Sequence, residues 1–255
     1  MVDVLVCVKR VPDSSSQVVL TPDQQAVDGR LAGYTVSPHE ECAIELAVQL
    51  AGATGGAATV LTLGPGESAE QLRNALAVGC TAAVHIAADG VSFGPADVAR
   101  EIAAVVKAHG DEGRSYDLVL LGNDAADTGD FQVGIRLAYA LGLPVVNGVS
   151  TLEVADGVAS AHVDGPDGAE TYSVPTPMVA TILEGGVTPR YPSLKGRMAA
   201  KKVDIEERTP VAGPAGSSRV QLKLPPPAPS SVEVLGAGPG AAAAVVDLFE
   251  RLGVR

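Results

Sequence analysis

Short apolar runs alternate with longer amphipathic stretches along the first half of the chain. The runs carry almost no charge, which is typical of parallel strands buried on both faces. The amphipathic stretches repeat apolar residues three or four positions apart and end at glycines, as surface helices do. Strands are predicted at 2–8, 57–63, 82–87 and 116–121, and helices at 38–51, 67–78, 95–109 and 131–141. Strands that alternate with single helices predict a doubly wound, mostly parallel α/β sheet with right-handed crossovers.

The pattern changes after Pro144. Shorter apolar runs follow, separated by turn residues such as Asp156-Gly157, so we predict antiparallel strands added to the main sheet. An earlier polar stretch, residues 14–33, holds two short apolar runs split by Thr21-Pro22-Asp23 and is predicted to form a hairpin insertion. The added strands are predicted at 149–154, 158–163, 170–174 and 178–183.

The last fifty residues are rich in Pro, Gly and Ser, and they end in a helical pattern at 241–252. We predict an extended arm with polyproline character. An isolated helix of this length is marginal in water, so we expect it to pack on a partner subunit. The interpretation divides the chain into an α/β domain, residues 1–205, and an arm, residues 206–255.

Composition narrows the class of function. The chain has 255 residues, a formal net charge of −12 and a sequence pI near 4.7. An acidic surface disfavours binding to nucleic acid and to anionic membranes. No apolar run is long enough to cross a bilayer, and no secretory signal is evident, so we expect a cytoplasmic protein without direct membrane insertion. The three cysteines are odd in number and far apart, as expected of reduced thiols.

The best candidate ligand loop runs from Gly122 to Gly134, between a predicted buried strand and the next helix. Ligands of open α/β sheets bind beyond the carboxyl ends of the strands. Glycines let backbone N–H groups approach an anion, and a helix N-terminus favours phosphate. The alternative is a tight turn in which Asp and Asn cap the helix. Spacing alone leaves both interpretations open.

No constellation of catalytic side chains stands out. The four histidines, His39, His85, His109 and His162, lack the spacing of metal ligands, so no metal site is expected. The chain contains neither a G-x-S-x-G elbow nor a phosphate-binding P-loop. This pattern favours a carrier or binding protein over a hydrolase or transferase.

A basic segment, residues 188–202, contrasts with the acidic chain, since it holds five of the 18 Lys and Arg residues. Two prolines stiffen its start. Leu194 and Met198 lie four apart and share one face if the segment is helical. Charge with an apolar anchor is typical of a transient docking site, because charge speeds encounter and the anchor fixes the pose. The alternative is a solvated charged face.

Four motifs in order over residues 1–205 resemble the β subunit of electron-transfer flavoprotein: residues 6–13, Ser37-Pro38, residues 118–134 and residues 189–202. The resemblance implies a Rossmann-like fold of the adenine-nucleotide α-hydrolase type and a heterodimer with an α subunit. It implies FAD held mainly by that subunit, electrons taken from acyl-CoA and other flavin dehydrogenases, and a quinone oxidoreductase as acceptor. It also implies AMP in the β subunit, or a second FAD in bifurcating members.

Residue roles follow from the same resemblance. Leu194 is the implied anchor for dehydrogenases, with Cys7 and Leu63 serving the nucleotide through backbone or packing. The chain departs from the family at Ser37, where Asn is usual, at Asn123-Asp124, which replaces Lys-Gln, and at Asp130-Phe131, and these changes leave the nucleotide open. The implied nucleotide site comprises Cys7, Ser37, Leu63, Gly122, Asn123, Asp124, Ala125, Ala126, Asp127, Thr128, Gln132 and Val133, and the implied partner site comprises Arg190, Tyr191, Leu194, Lys195, Arg197 and Met198.

Two other functions compete with this one. A stand-alone adenine-nucleotide sensor on the same α/β architecture would need neither the basic segment nor the arm. A nucleotide-transferring enzyme would need a catalytic base and usually a metal site, for which the sequence offers no convincing candidate.

Overall fold

A computed structural model of the protein describes residues 1–13, 18–90, 92–215, 221–226 and 232–254. The chain divides into two compact units, Met1–Leu222 and Lys223–Arg255. The first unit contains the sheet and the helices that cover it. The second contains a short 3₁₀ turn, Gly238–Ala241, followed by the terminal helix. No helix among the described residues is long and apolar enough to cross a membrane.

The described residues form one nine-stranded sheet and one small two-stranded ribbon. In chain order the strands are β1 (Val4–Val8), β2 (Val11–Pro12), β3 (Tyr34–Thr35), β4 (Ala58–Gly64), β5 (Ala82–Ala87), β6 (Leu118–Gly122), β7 (Val145–Ala155), β8 (Val158–Gly165), β9 (Gly168–Pro175), β10 (Met178–Ile182) and β11 (Ile205–Arg208). The order across the sheet is β11-β5-β4-β1-β6-β10-β7-β8-β9, and the ribbon pairs β2 with β3. The predicted doubly wound, mostly parallel fold is confirmed.

The helices are α1 (Gly29–Ala32), α2 (Pro38–Thr54), α3 (Ala69–Val78), α4 (Pro95–Asp111), α5 (Val133–Leu141), α6 (Leu194–Ala200) and α7 (Ala242–Leu252). Helix α2 shows why the sequence pattern was informative. Ser37 caps its N-terminus in a capping box with Glu40, Pro38 occupies the first turn, and Gly55 ends it in the left-handed conformation at φ 72°.

The core has two apolar layers, one on each face of the sheet. In β1, Val4, Val6 and Val8 face the layer covered by α2 and α3. Leu5 and Cys7 of the same strand face the layer covered by α4 and α5. All five residues of β1 are buried. This burial on both faces explains the nearly continuous apolar run, and it fixes the carboxyl end of β1 at the centre of the sheet.

One strand direction was predicted wrongly. Strand β10 is parallel, not antiparallel, because it inserts between β6 and β7 with Met178 beside Leu118 and Val179 beside Val145. The long strand β7 serves both parts of the sheet: its first residues pair in parallel with β10 and its later ones pair antiparallel with β8. The parallel pairing has a register shift between Val146 and Val149, and the antiparallel pairing has one between Val149 and Thr151. The prediction began β7 at residue 149 and so missed the parallel half.

Strand β11 was not predicted, and it lies where the arm was expected to begin, at residue 206. Its sequence Ile-Glu-Glu-Arg is too charged to resemble a buried strand. It pairs in parallel with β5 at the edge of the sheet, and its carboxylates face histidines of the body. Glu207 accepts from His85 Nδ1 at 2.8 Å, and Glu206 contacts His109 Nε2 at 3.1 Å.

The predicted insertion is hairpin-like where the structure describes it. Leu20 and Val27 form an antiparallel bridge, and Asp28 N donates to Val19 O at 2.7 Å. The first residues of the predicted insertion, 14–17, lie outside the described residues.

Candidate functional site

The predicted nucleotide-site residues lie at the carboxyl edge of the parallel strands. Cys7 is the penultimate residue of β1, Leu63 that of β4, and Gly122 is the last residue of β6. Strand register brings Cys7 beside both Leu61 and Leu121. Ser37 caps α2, whose N-terminus meets the same edge. The fold therefore gathers residues from four distant parts of the chain.

Gly122 is the point where β6 touches α2. A Cβ added at Gly122 would lie 2.9 Å from Glu40 Cγ and 3.4 Å from His39 Cβ. A larger residue would push the end of β6 away from the helix N-terminus. Glycine is thus needed here for close approach rather than for an unusual backbone angle.

A buried carboxylate, Glu40, joins the residue after β1 to the residue that caps α2 through hydrogen bonds. Its Oε1 accepts from the Lys9 backbone N–H at 2.6 Å. Its Oε2 accepts from Ser37 N at 2.8 Å and from Ser37 Oγ at 3.1 Å. Burial raises the pKa of Glu40 to about 7, although the hydrogen bonds from Ser37 and Lys9 oppose that rise. The carboxyl group thus changes its charge near neutral pH.

Burial, with a smaller contribution from the Glu40 charge, raises the pKa of the Cys7 thiol far above its usual range. The thiol is protonated and is a poor nucleophile at neutral pH. Cys7 can therefore contribute packing surface and backbone to the site, as the resemblance implied.

Two carboxylates tie the loop after β6 to the rest of the edge. Asp127 Oδ1 lies 2.6 Å from Lys9 Nζ. Asp124 Oδ1 lies 3.1 Å from His39 Nε2, and His39 Nδ1 accepts from Glu184 N at 3.2 Å. Because Nδ1 accepts a hydrogen bond, the proton of the neutral imidazole is on Nε2 and points to Asp124. The loop thus closes over the ends of β1 and α2.

The rest of the loop is built on its own backbone. Gly129 N donates to Ala125 O at 2.7 Å, Ala125 N donates to Asp130 O at 3.1 Å, and Ala126 lies in the turn between them. Thr128 N also donates to Ala125 O, at 3.2 Å.

The two ends of the loop are held by different contacts. Asn123 Oδ1 accepts from Thr181 Oγ1 at 2.8 Å and from Gly148 N at 3.1 Å, which fixes the start of the loop. At its other end Gln132 occupies the cap position of α5, and Val133 is the first residue of that helix.

This edge carries groups of the kinds that contact adenine nucleotides in proteins. Buried Cys7 and Leu63 offer an apolar wall. The Lys9 ammonium suits phosphate oxygens, and a carboxylate such as Asp124 suits ribose hydroxyls.

The basic segment, residues 188–202, forms a second candidate site. Ser193 caps α6 by accepting from Gly196 N at 3.0 Å. The apolar residues on its outer side are strongly exposed: Tyr191 by 96%, Leu194 by 78% and Met198 by 62%. Lys195 and Arg197 are exposed beside them.

Arg190 differs from the other five predicted partner contacts. Its guanidinium is bound by the buried carboxylate of Glu45, with Nη2 2.6 Å from Oε1. The structure therefore exposes all six predicted contacts, but the guanidinium of Arg190, whose side chain is 48% exposed, is bound to Glu45.

Comparison with known proteins decides the family. The family model described as "Electron transfer flavoprotein domain" matches residues 28–212. The electron transfer flavoprotein subunit beta of Bacillus subtilis is 35% identical over 205 residues, covering 80% of this chain and 78% of the relative. The chain belongs to the electron-transfer flavoprotein β-subunit family. The protein of the same name from Syntrophomonas wolfei is 32% identical over 238 residues, covering 91% of the chain and 89% of the relative.

A further relative of this electron-transfer flavoprotein chain is named as subunit CarD of a caffeyl-CoA reductase–Etf complex from Acetobacterium woodii. It is 32% identical over 206 residues, covering 79% of the chain and 76% of the relative.

Four residues of this family member were missed as site residues. Glu40 had a signal, because Ser37 and Glu40 have the spacing of a capping box. Lys9 directly follows the first predicted strand, but its partner Asp127 is 118 residues away. His39 and Glu45 also gain their roles from partners that are remote in sequence, so no local pattern identifies them.

Proposed function

We propose that this chain is the β subunit of a heterodimeric electron-transfer flavoprotein. It has no catalytic role alone. With its α subunit, which holds most of the FAD, it carries electrons from flavin dehydrogenases to a quinone oxidoreductase or another acceptor. The observation that carries this proposal is the exposed apolar face of Tyr191, Leu194 and Met198 in a member of this family.

The electrostatics of that face support a transient partner. Lys195 and Arg197 flank it on a protein of net charge −12. Opposite charge on a dehydrogenase would raise the rate of encounter, and a small apolar anchor would allow rapid release. A carrier that meets several proteins in turn needs both properties.

We propose that the carboxyl edge of the sheet binds AMP, with a second FAD as the alternative. The hydrogen-bonding groups of Lys9, Asp124 and Asp127 support an adenine nucleotide but do not distinguish the two. The loop from Gly122 to Val133 would surround the phosphate and ribose, and AMP would serve as a structural ligand.

We propose dehydrogenases acting on CoA thioesters as the electron donors, and a cytoplasmic location. A relative named as a subunit of a caffeyl-CoA reductase–Etf complex supports a partner enzyme that acts on a CoA thioester. We also propose that the C-terminal unit packs on the α subunit. Its helix α7 exposes Val246, Phe249 and Leu252, which would need such a cover.

The test is co-expression with the candidate α subunit, followed by heat release and mass identification of the bound nucleotides. We expect one FAD and one AMP per heterodimer, and flavin reduction by an acyl-CoA dehydrogenase. Two FAD would favour the alternative ligand. A chain that forms no heterodimer and binds only an adenine nucleotide would contradict the proposal and favour the sensor function.

A further inference from the structure

Arg190 is the residue of the basic segment whose side chain, although 48% exposed, is bound to a buried carboxylate of α2. Its Nε lies 2.8 Å from Glu45 Oε2 and 3.1 Å from Oε1, and its Nη2 lies 2.6 Å from Oε1. The Arg190 backbone N–H also donates to Glu45 Oε2, at 3.1 Å. Side chain and main chain of one residue thus converge on a single carboxylate.

Glu45 is well placed to hold that residue. It lies in the middle of α2 and is only 2% exposed, and Gln49 Nε2 donates to its Oε1 at 2.6 Å. Burial favours a higher pKa for Glu45, but the hydrogen bonds from Arg190 and Gln49 outweigh it and keep the pKa below its usual value. A buried carboxylate that lost Arg190 would be left without its counter-charge, which is strongly unfavourable.

The basic segment is held at further points along its length. Cys42 Sγ of α2 contacts Val187 O at 3.5 Å, just before the segment. A Cβ on Gly196 would lie 2.2 Å from Ala77 O, so α6 rests directly on the end of α3. Arg73 Nη1 donates to Ala200 O and Val203 O, both at 2.5 Å.

These contacts separate two sides of the segment. Its inner side, through Arg190, Gly196 and Ala200, is fixed on α2 and α3. Its outer side presents Leu194 and Met198 to solvent. A docking surface that is ordered before the partner arrives avoids the entropy cost of ordering it on binding.

We propose that Glu45 and Arg190 are positioning residues for the docking surface. Neither touches the partner; together they fix the start of the basic segment, so that the apolar face of α6 is preformed. The proposal deepens the proposed function and rests on it for the partner. It gives Arg190, which sequence resemblance placed among the partner contacts, a positioning role, and it gives Glu45 the same role.

The first test follows hydrogen exchange in the full-length chain, by mass spectrometry of peptides covering residues 188–202. In Arg190→Gln and in Glu45→Gln we expect the exchange there to be about tenfold faster, because the bidentate charged pair is lost. The loop at 123–130 should be unaffected. Arg197→Gln, which removes an exposed cation from the same segment, is the matched control and should leave exchange unchanged.

Two further variants keep this test decisive if a single substitution unfolds the chain. Glu45→Gln/Arg190→Gln removes both charges, so it should regain the unfolding midpoint of the parent while exchange in the segment stays fast. Arg190→Lys keeps the positive charge but lacks the planar guanidinium that binds both carboxylate oxygens, so exchange in the segment should be intermediate. Parental exchange in both variants would overturn the positioning role.

The second test uses the heterodimer with an acyl-CoA dehydrogenase as electron donor. Arg190→Gln should raise the KM for the dehydrogenase about tenfold, with kcat and the flavin spectrum unchanged, since the preformed surface alone is lost. Arg197→Gln should instead weaken the salt dependence of the reaction. A raised KM without faster exchange would make Arg190 a direct contact and overturn the proposal.

The two tests fail separately. Faster exchange in a heterodimer that no dehydrogenase reduces would leave the positioning of the segment standing and overturn the proposed function. Unchanged exchange with normal electron transfer would overturn the positioning role of Glu45 and Arg190 and leave the proposed function standing.

Discussion

Glu40 illustrates how one buried side chain can set the pH response of the protein. Its pKa is about 7 in the folded chain, against an ordinary value of 4.5. Below pH 4.5 the group is protonated in both states. Between pH 4.5 and 7 the unfolded chain loses the proton while the folded chain keeps it, so folding becomes less favourable as pH rises.

We therefore expect the free energy of unfolding to fall by about 3 kcal/mol from this group between pH 4.5 and 7. Glu40→Gln carries no such ionisation, so its stability relative to the parent should improve across that interval. Urea unfolding of both proteins at several pH values measures the difference. Parallel pH profiles would mean that the pKa of Glu40 is the same in the folded and the unfolded chain.

Leu194 is the residue on which the docking hypothesis depends. Leu194→Ala should slow reduction of the heterodimer by a dehydrogenase about tenfold, as expected for a truncated apolar anchor at an interface. The flavin content should be unchanged, because the residue projects from the surface.

The matched control for Leu194 is Val158→Ala on β8, which truncates an apolar side chain that is 43% exposed. Stopped-flow measurement of flavin reduction distinguishes the two variants. Equal rates in all three proteins would remove Leu194 as the anchor.

At the scale of elements, the contact of α6 with α3 depends on a glycine. Alanine is normally the better helix former by about 1 kcal/mol. Gly196→Ala should nonetheless destabilise the protein by about 1–3 kcal/mol, because its Cβ would press on Ala77 O and displace α6.

Gly110→Ala in α4 is the control for Gly196→Ala, because a Cβ there meets nothing within 4 Å. It should stabilise the chain slightly through helix propensity alone. Thermal unfolding of the two variants gives the comparison. A stabilised Gly196→Ala would show that α6 can move at little cost.

The elements predicted well were those whose burial leaves a local pattern. Strands β1, β4, β5 and β6 are mostly apolar and mostly buried, and Ser37 with Pro38 marks the start of α2. The direction of β10 was predicted wrongly because it depends on the neighbouring strands with which β10 pairs. A short apolar run has the same pattern in a parallel and in an antiparallel strand. Strand β11 was missed because it is strongly charged, and its glutamates contact His85 and His109, which are remote in sequence.

The two candidate sites show the same limit. The loop at 122–134 was predicted because a glycine-rich turn after a buried strand is a local signal. The pairs Lys9–Asp127 and Glu45–Arg190 join residues 118 and 145 positions apart. Such pairs follow from the sheet order, which the sequence pattern did not specify.

At the scale of the whole molecule, the described residues of the terminal unit offer an apolar surface and contribute no strand to the sheet. Deleting the residues after Pro225 should strongly reduce co-purification with the α subunit, since Phe249 and Leu252 of α7 would be lost. The unfolding midpoint of the remaining chain should change little, because β1–β11 all precede the cut.

The control for this deletion ends the chain after Leu252, which keeps α7. Pull-down with a tagged α subunit compares the two truncations. Undiminished recovery of the shorter chain would show that the arm is dispensable for assembly.

Helix α2 links the two candidate surfaces. Glu40 lies under the nucleotide edge and Glu45 grips the docking segment, and five residues of helix separate them by about 7.5 Å along its axis. Over so short a distance a helix moves as a rigid unit. A nucleotide that displaced the first turn of α2 would therefore also displace Glu45, to which Arg190 of the basic segment is bound. If the bound nucleotide changed the affinity for a dehydrogenase by some factor, the docked dehydrogenase would change the affinity for the nucleotide by the same factor.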